Sequence, residues 1–161
     1  MTATSELRWR VRERPDYTHV EFTGAFDENA NFPALLGKLS GAVVFDLGGI
    51  SRINSAGIRE WIAFLRALRP RVSDLVFTHC TPPFVTQLNS IYNFRGTARI
   101  ESFFAPYVCR KCGSEEAKLL LAKNLSKQRD LSPPAFACEE CGHSMDLDET
   151  ADRFFSFLRD S

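Results

Sequence analysis

Residues 42–69, AVVFDLGGISRINSAGIREWIAFLRALR, decide how the rest of the chain is read. They open with Val43, Val44, Phe45 and Leu47, an apolar run of β-branched and aromatic residues short enough for a buried strand. Asp46, Gly48 and Gly49 supply turn chemistry, and either Asn54 or Ser55 suits the N-cap of a helix. From Ser55 onward the period becomes helical. Gly57, Ile58, Trp61, Ile62, Phe64, Leu65 and Leu68 fall on one broad side, which predicts the buried face. Ala56, Arg59, Ala63, Arg66 and Ala67 fall on the other, with Ser55 at its flank.

Ser55 therefore stands at a helix N-terminus on the water side, with Arg59 one turn further along. A phosphate held there would meet unpaired backbone N–H groups, the positive end of the helix dipole and an i,i+4 arginine. The neighbouring alanines keep the outer face low, so the backbone of another protein can approach it. The competing reading is that Ser55 merely caps the helix.

The segment DLGGISRINSAGI resembles the signature of STAS domains, the fold shared by sulfate-transporter tails and bacterial anti-sigma-factor antagonists. In that family a strand ending in Asp-Leu is followed by a short loop and by Asp-Ser-x-Gly-Leu opening a helix. Asp46 and Leu47 match the strand end, Ser55 the phospho-acceptor serine, Gly57 the glycine and Ile58 the leucine. Asn54 stands where the family has aspartate; it retains capping ability and lacks the charge. The resemblance implies a STAS-like α/β fold over residues 1–106: a mixed β-sheet with helices packed mainly on one side. It also implies a partner of the switch-kinase or anti-sigma-factor type, bound through the surface around Ser55, Asn54, Asp46, Gly57 and Arg59. Phosphorylation of Ser55 would release that partner.

The flanking sequence reads in the same way. Leu7, Trp9 and Val11 alternate with Arg8, Arg10 and Arg12, and Thr18–Phe22 returns after Pro15-Asp16, which predicts an opening hairpin. Phe32, Leu35, Leu36 and Leu39 sit at helical spacing within residues 26–39, ended by Gly41. Leu75-Val76-Phe77 predicts a buried strand. Thr81-Pro82-Pro83 opens a helix with Phe84, Val85, Leu88 and Ile91 inward, and residues 99–108 read as the last strand of the sheet. The 14 phenylalanines are read as core filling.

Past Tyr107 the chemistry changes. Cys109-Arg110-Lys111-Cys112-Gly113 and Cys138-Glu139-Glu140-Cys141-Gly142 are two CxxCG units. Two residues between cysteines let both sulfurs of a tight turn reach one ion, and the glycine after each pair permits the positive φ such a turn needs. Two such knuckles over residues 107–147 predict a zinc ribbon. With four thiolate ligands, Cys109, Cys112, Cys138 and Cys141, no coordination position is left open, so the Zn2+ is expected to be structural. A short helical tail is expected over residues 148–161, docked on the ribbon or on the first unit. Cys80, at a strand end, is expected to be a buried apolar residue.

Composition bounds what this assembly does. Twenty basic and twenty acidic residues cancel across 161 positions, so no net charge steers the chain to nucleic acid or anionic lipid. The ribbon segment is also balanced, which favours protein contact over nucleic acid there. No apolar run reaches membrane-span length and no signal-peptide core opens the chain, so a cytoplasmic location is expected. No nucleophile–base pair, open metal site or phosphate-cradling glycine loop is visible, so an enzyme is not expected. The leading expectation is a regulatory binding protein. A constitutive scaffold or transport-complex subunit, and a ribbon-mediated nucleic-acid adaptor, are the alternatives.

Overall fold

The structure, a computed structural model, describes residues 6–126 and 132–160; residues 1–5, 127–131 and 161 lie outside the described residues. The alternation at the start of the chain produces β1 (Arg8–Glu13), which pairs antiparallel with β2 (Thr18–Phe26) after a turn closed by the Arg14 N–H on the Tyr17 carbonyl. Three strands then add in parallel: β3 (Gly41–Ile53), β4 (Val72–Thr78) and the two-residue β5 (Arg99–Ile100). The result is a mixed five-stranded sheet in sequence order, β1 to β5.

Helices α1 (Pro33–Leu36), α2 (Ser55–Leu68) and α3 (Pro82–Ser90) supply the other layer. β3 alternates through Leu47 as a half-buried strand must, whereas β4 is buried on both faces from Leu75 to Thr78. Val20, Phe22, Val43, Phe45, Leu47, Leu75 and Phe77 turn toward the helices and are buried. Trp61 of α2 lies at the centre of this core. It is fully buried and surrounded by the rings of Phe22, Phe26, Phe32, Phe45, Phe64, Phe77, Phe84 and Phe94, with centroids 4.8–6.2 Å away. Its indole N–H donates to the Phe94 carbonyl at 2.8 Å, so its one polar atom is satisfied inside the core. Eight of the phenylalanines thus fill this core around one indole.

The remaining strands form a second sheet. β6 (Ser102–Val108) pairs antiparallel with β7 (Glu115–Leu121) and with β9 (Ser144–Leu147), which pairs with β8 (Phe136–Ala137); α4 (Ala122–Ser126) follows β7. The tail forms α5 (Ala151–Phe154) and a 3₁₀ turn at Ser156–Asp160. It docks on α3. Asn89 donates to the Phe154 carbonyl and accepts from the Ser156 hydroxyl and the Phe157 N–H, each at 2.9 Å. Phe154, Phe155 and Phe157 then pack around Phe103 of β6, so the buried core runs without interruption from the first sheet to the second.

Three sequence expectations are corrected. The strand expected to stop at Gly48-Gly49 continues to Ile53, carrying the glycines as an irregularity in its pairing with β2. A Cβ at Gly49 would press on the Phe22 carbonyl and on Thr23, so Gly49 serves close strand approach rather than a turn, while a Cβ at Gly48 would crowd Asp46 and His79. The helix expected across residues 26–39 shrinks to the four residues of α1, because Asp27 folds residues 27–30 into a turn through the Asn29 N–H and Gly37 follows the last turn. The single last strand expected over residues 99–108 is two strands in two sheets. At Ser102 the hydroxyl engages Thr78 and the His79 N–H, both at 2.8 Å, and the chain turns out of the first sheet there.

Candidate metal centre and docking surface

The four cysteines of the CxxCG units converge. Their sulfurs all lie within 4.8 Å of one another, with Cys109 to Cys141 at 3.5 Å and Cys112 to Cys138 at 3.7 Å. A tetrahedral ion with ligand bonds of about 2.3 Å requires sulfur–sulfur edges of about 3.8 Å, so the set is dimensioned for an ion such as zinc. The two turns are built alike. Cys109 N–H donates to the Ser114 carbonyl and Gly113 N–H to the Cys109 carbonyl; Cys138 N–H donates to the His143 carbonyl and Gly142 N–H to the Cys138 carbonyl. Gly113 and Gly142 carry φ of 80° and 76°, the left-handed conformation expected of both. The backbone N–H of Cys112, aimed at the Cys109 sulfur, lowers that thiol to about 7, while in the absence of an ion the Cys112 thiol is raised and the Cys141 thiol, in contact with the Cys109 sulfur, is pushed up to about 12. Cys109 and Cys138 are buried; Cys112 and Cys141 face solvent. Cys80 is fully buried, and burial pushes its thiol up, as suits an inert apolar residue.

The second feature is the N-terminus of α2. Asn54 is the cap: its backbone is extended and its side-chain oxygen accepts the Gly57 N–H at 2.9 Å. This resolves the choice between Asn54 and Ser55. Ser55 is the first helical residue, exposed, and its hydroxyl makes no hydrogen bond among the described residues. Arg59 is exposed one turn below it. The amide nitrogen of Asn54 donates to the Glu28 carboxylate at 2.9 Å, and that bond, the largest influence on the group, holds the Glu28 carboxyl below its usual value. An aspartate at position 54 would face Glu28 with like charge; asparagine bonds to both sides and leaves the negative charge next door. Sequence reasoning missed Glu28, which lies in an irregular turn with no distinguishing spacing.

Gly57 is fixed by packing. A Cβ there would overlap the backbone of Phe26 and crowd the Asp27 nitrogen, where the helix start rests on the end of β2. Gly57→Ala is expected to cost about 3 kcal/mol or more, read from urea unfolding, because the neighbour is backbone and cannot yield.

Asp46 stands apart from this surface. Its neighbours Phe45 and Leu47 point at the helices, so Asp46 projects from the opposite face of the sheet, where it accepts the Gly48 N–H at 2.9 Å and faces His79 Nδ1 at 3.5 Å. His79 occupies a left-handed backbone conformation, φ 55°, unusual for a residue with a side chain. Of the residues proposed from the sequence, the structure brings Asn54, Ser55, Gly57 and Arg59 to one helix start and the four cysteines to one centre. Asp46 belongs to neither.

No protein-family model matches the chain, and no curated protein matches it. No helix among the described residues is long and apolar enough to cross a membrane.

Proposed function

We propose that this chain is a non-enzymatic regulatory protein of STAS type that docks a protein partner through the outer face of α2 around Ser55, and that phosphorylation of Ser55 releases the partner. The partner is of the switch-kinase or anti-sigma-factor kind. The observation that carries the reading is the unused hydroxyl: Asn54 performs the capping, so Ser55 has no structural duty and faces solvent at a helix start. A phosphate there gains the free N–H groups of the first turn and adds a charge of about −1.5 to −2 to a surface that a partner must approach closely. Glu28 supplies beside the serine the carboxylate that Asn54 lacks. The mixed sheet with three helices on one face is the architecture that the STAS reading requires.

In the same proposal Cys109, Cys112, Cys138 and Cys141 hold a structural Zn2+, which closes the outer end of the second sheet as a ribbon and takes no part in chemistry. The ion fixes two turns that bury little apolar surface of their own. The protein acts in the cytoplasm, where thiols stay reduced and available to a metal.

A pull-down from the native host with wild type and Ser55→Asp baits in parallel tests the switch. The expected result is one partner captured by wild type and retained at least about tenfold less by Ser55→Asp, since a charge placed in a close interface costs this much or more. Both baits should unfold at the same urea concentration, because Ser55 supports nothing in the fold. Equal capture by the two baits sinks the switch.

A further inference from the structure

Five positions form a single stripe down the outside of α2: Ser55, Arg59, Ile62, Arg66 and Arg69, at successive spacings of four, three, four and three. The sequence places Ile62 on the buried side, yet in the structure it is only half-buried and borders a cleft of about 370 Å³. The cleft runs between α2 and the loop after α3, with Leu65, Arg66, Arg69, Asn93, Gly96 and Thr97 as its other walls. Arg59, Arg66 and Arg69 are all exposed, and none of their guanidinium groups makes a hydrogen bond or ion pair among the described residues. No acidic residue lines the cleft. Beside Asn93 in the chain, Tyr92 is 96 % exposed, far beyond the usual exposure of an aromatic side chain. A protein whose total charge is zero thus carries two unmatched guanidinium groups, Arg66 and Arg69, on the wall of a partly apolar hollow, with a third, Arg59, further up the same stripe.

We infer that this stripe is the seat of the partner's contact segment, and that this segment carries two or three carboxylates around one bulky apolar side chain. The inference rests on the docking reading of α2 and adds the chemistry of what docks. Arginine presents a planar fork that matches carboxylate geometry, and three of them on one stripe fix the orientation of an acidic segment. The apolar side chain enters the hollow between Ile62 and Leu65, supplying the buried centre that such contacts need, while the arginines form its polar rim. A single-stranded nucleic acid fits less well. It needs a succession of stacking rings beside the basic groups, and among the described residues Tyr92, next in the chain to Asn93 of the cleft, is the one fully exposed ring. A second copy presenting the same face would set arginine against arginine.

The probe is a fluorescein-labelled heptapeptide, Asp-Glu-Glu-Phe-Glu-Asp-Glu, titrated with the full-length protein and followed by fluorescence polarisation. Its controls are the same peptide with serine for phenylalanine and a labelled oligodeoxythymidylate. Saturable binding below ~1 mM is expected for the phenylalanine peptide. The affinity should fall at least about tenfold in the Arg66→Glu/Arg69→Glu protein, and at least about threefold for the serine peptide. Because a glutamate near the end of α2 opposes the helix dipole, Arg66→Gln/Arg69→Gln serves as the second variant, with a smaller loss in the same direction. Unchanged affinity in both variants overturns the inference, as does tighter binding of the oligonucleotide than of the peptide, or no peptide binding at all. The Ser55→Asp pull-down reads the other end of the stripe. A switch that fails there leaves these titrations standing, and a failed titration leaves the switch standing.

Discussion

Removing the proposed Zn2+ with a chelator, or replacing Cys138 by serine, is expected to unfold both cysteine turns and the short strands β8 and β9 that flank the second of them, while the aromatic core of the first sheet survives. β8 has two residues and β9 four, and the loops from Cys109 to Ser114 and from Cys138 to His143 are each held by two backbone hydrogen bonds. Elements this small do not offset their own ordering cost, which is about 1–2 kcal/mol per residue in backbone entropy. Structural zinc supplies about 10–16 kcal/mol of apparent binding free energy in isolated zinc-finger peptides. Amide hydrogen exchange reads the outcome directly. Protection should vanish at residues 109–114 and 138–146 and persist at residues 43–47 and 75–78. The same release should occur on acidification, since metal binding requires the thiolates and weakens as they protonate. Full protection of both turns after metal removal would show that the cysteine cluster is ordinary packing. Because Tyr107 and Phe136 meet edge to face at 4.8 Å and the Tyr107 hydroxyl donates to the Pro134 carbonyl, the inner half of the second sheet should loosen more slowly than its tip.

Trp61→Ala is expected to cost about 4 kcal/mol, within the range for deleting a fully buried aromatic side chain. Its ring is the common neighbour of eight phenylalanines drawn from β2, β3, β4, α2, α3 and the segments before α1 and after α3, so no local collapse can refill the space. A loss of this size is a large part of the 5–15 kcal/mol that holds an ordinary domain together. Trp61→Phe separates two contributions. It keeps most of the ring contact but leaves the buried Phe94 carbonyl without its donor, for a cost of about 1–3 kcal/mol. Urea unfolding of both variants checks the pair; a loss below about 1 kcal/mol for Trp61→Ala would place the centre of the core elsewhere.

The chain revealed most where local chemistry is self-sufficient. The CxxCG spacing dictates a turn with a glycine at positive φ, and both turns have it. The run Val43, Phe45, Leu47 followed by the period of α2 dictates a buried strand with a helix on one of its faces, because period two and period 3.6 leave no other arrangement. Where the outcome depended on distant backbone, the sequence misled. Gly48-Gly49 has the composition of a turn, and only the approach of β2 to β3 makes it part of a strand. Arg99–Val108 reads as one strand from its composition, and the Ser102 hydroxyl, taken up by Thr78 and His79 across the sheet, divides it. Ile62 carries the helical period of a core residue, but the loop after α3 stops short of covering it. Asp46 matched a strand-end motif, and the pleat turned it to the opposite face.

Once the partner is captured, the decisive measurement is its affinity by calorimetry for two forms of the full-length chain, unmodified and phosphorylated at Ser55, as verified by mass spectrometry. If Ser55 is the switch, the phosphorylated form binds at least about tenfold more weakly at unchanged stability of the fold. Identical affinities for the two forms would contradict it.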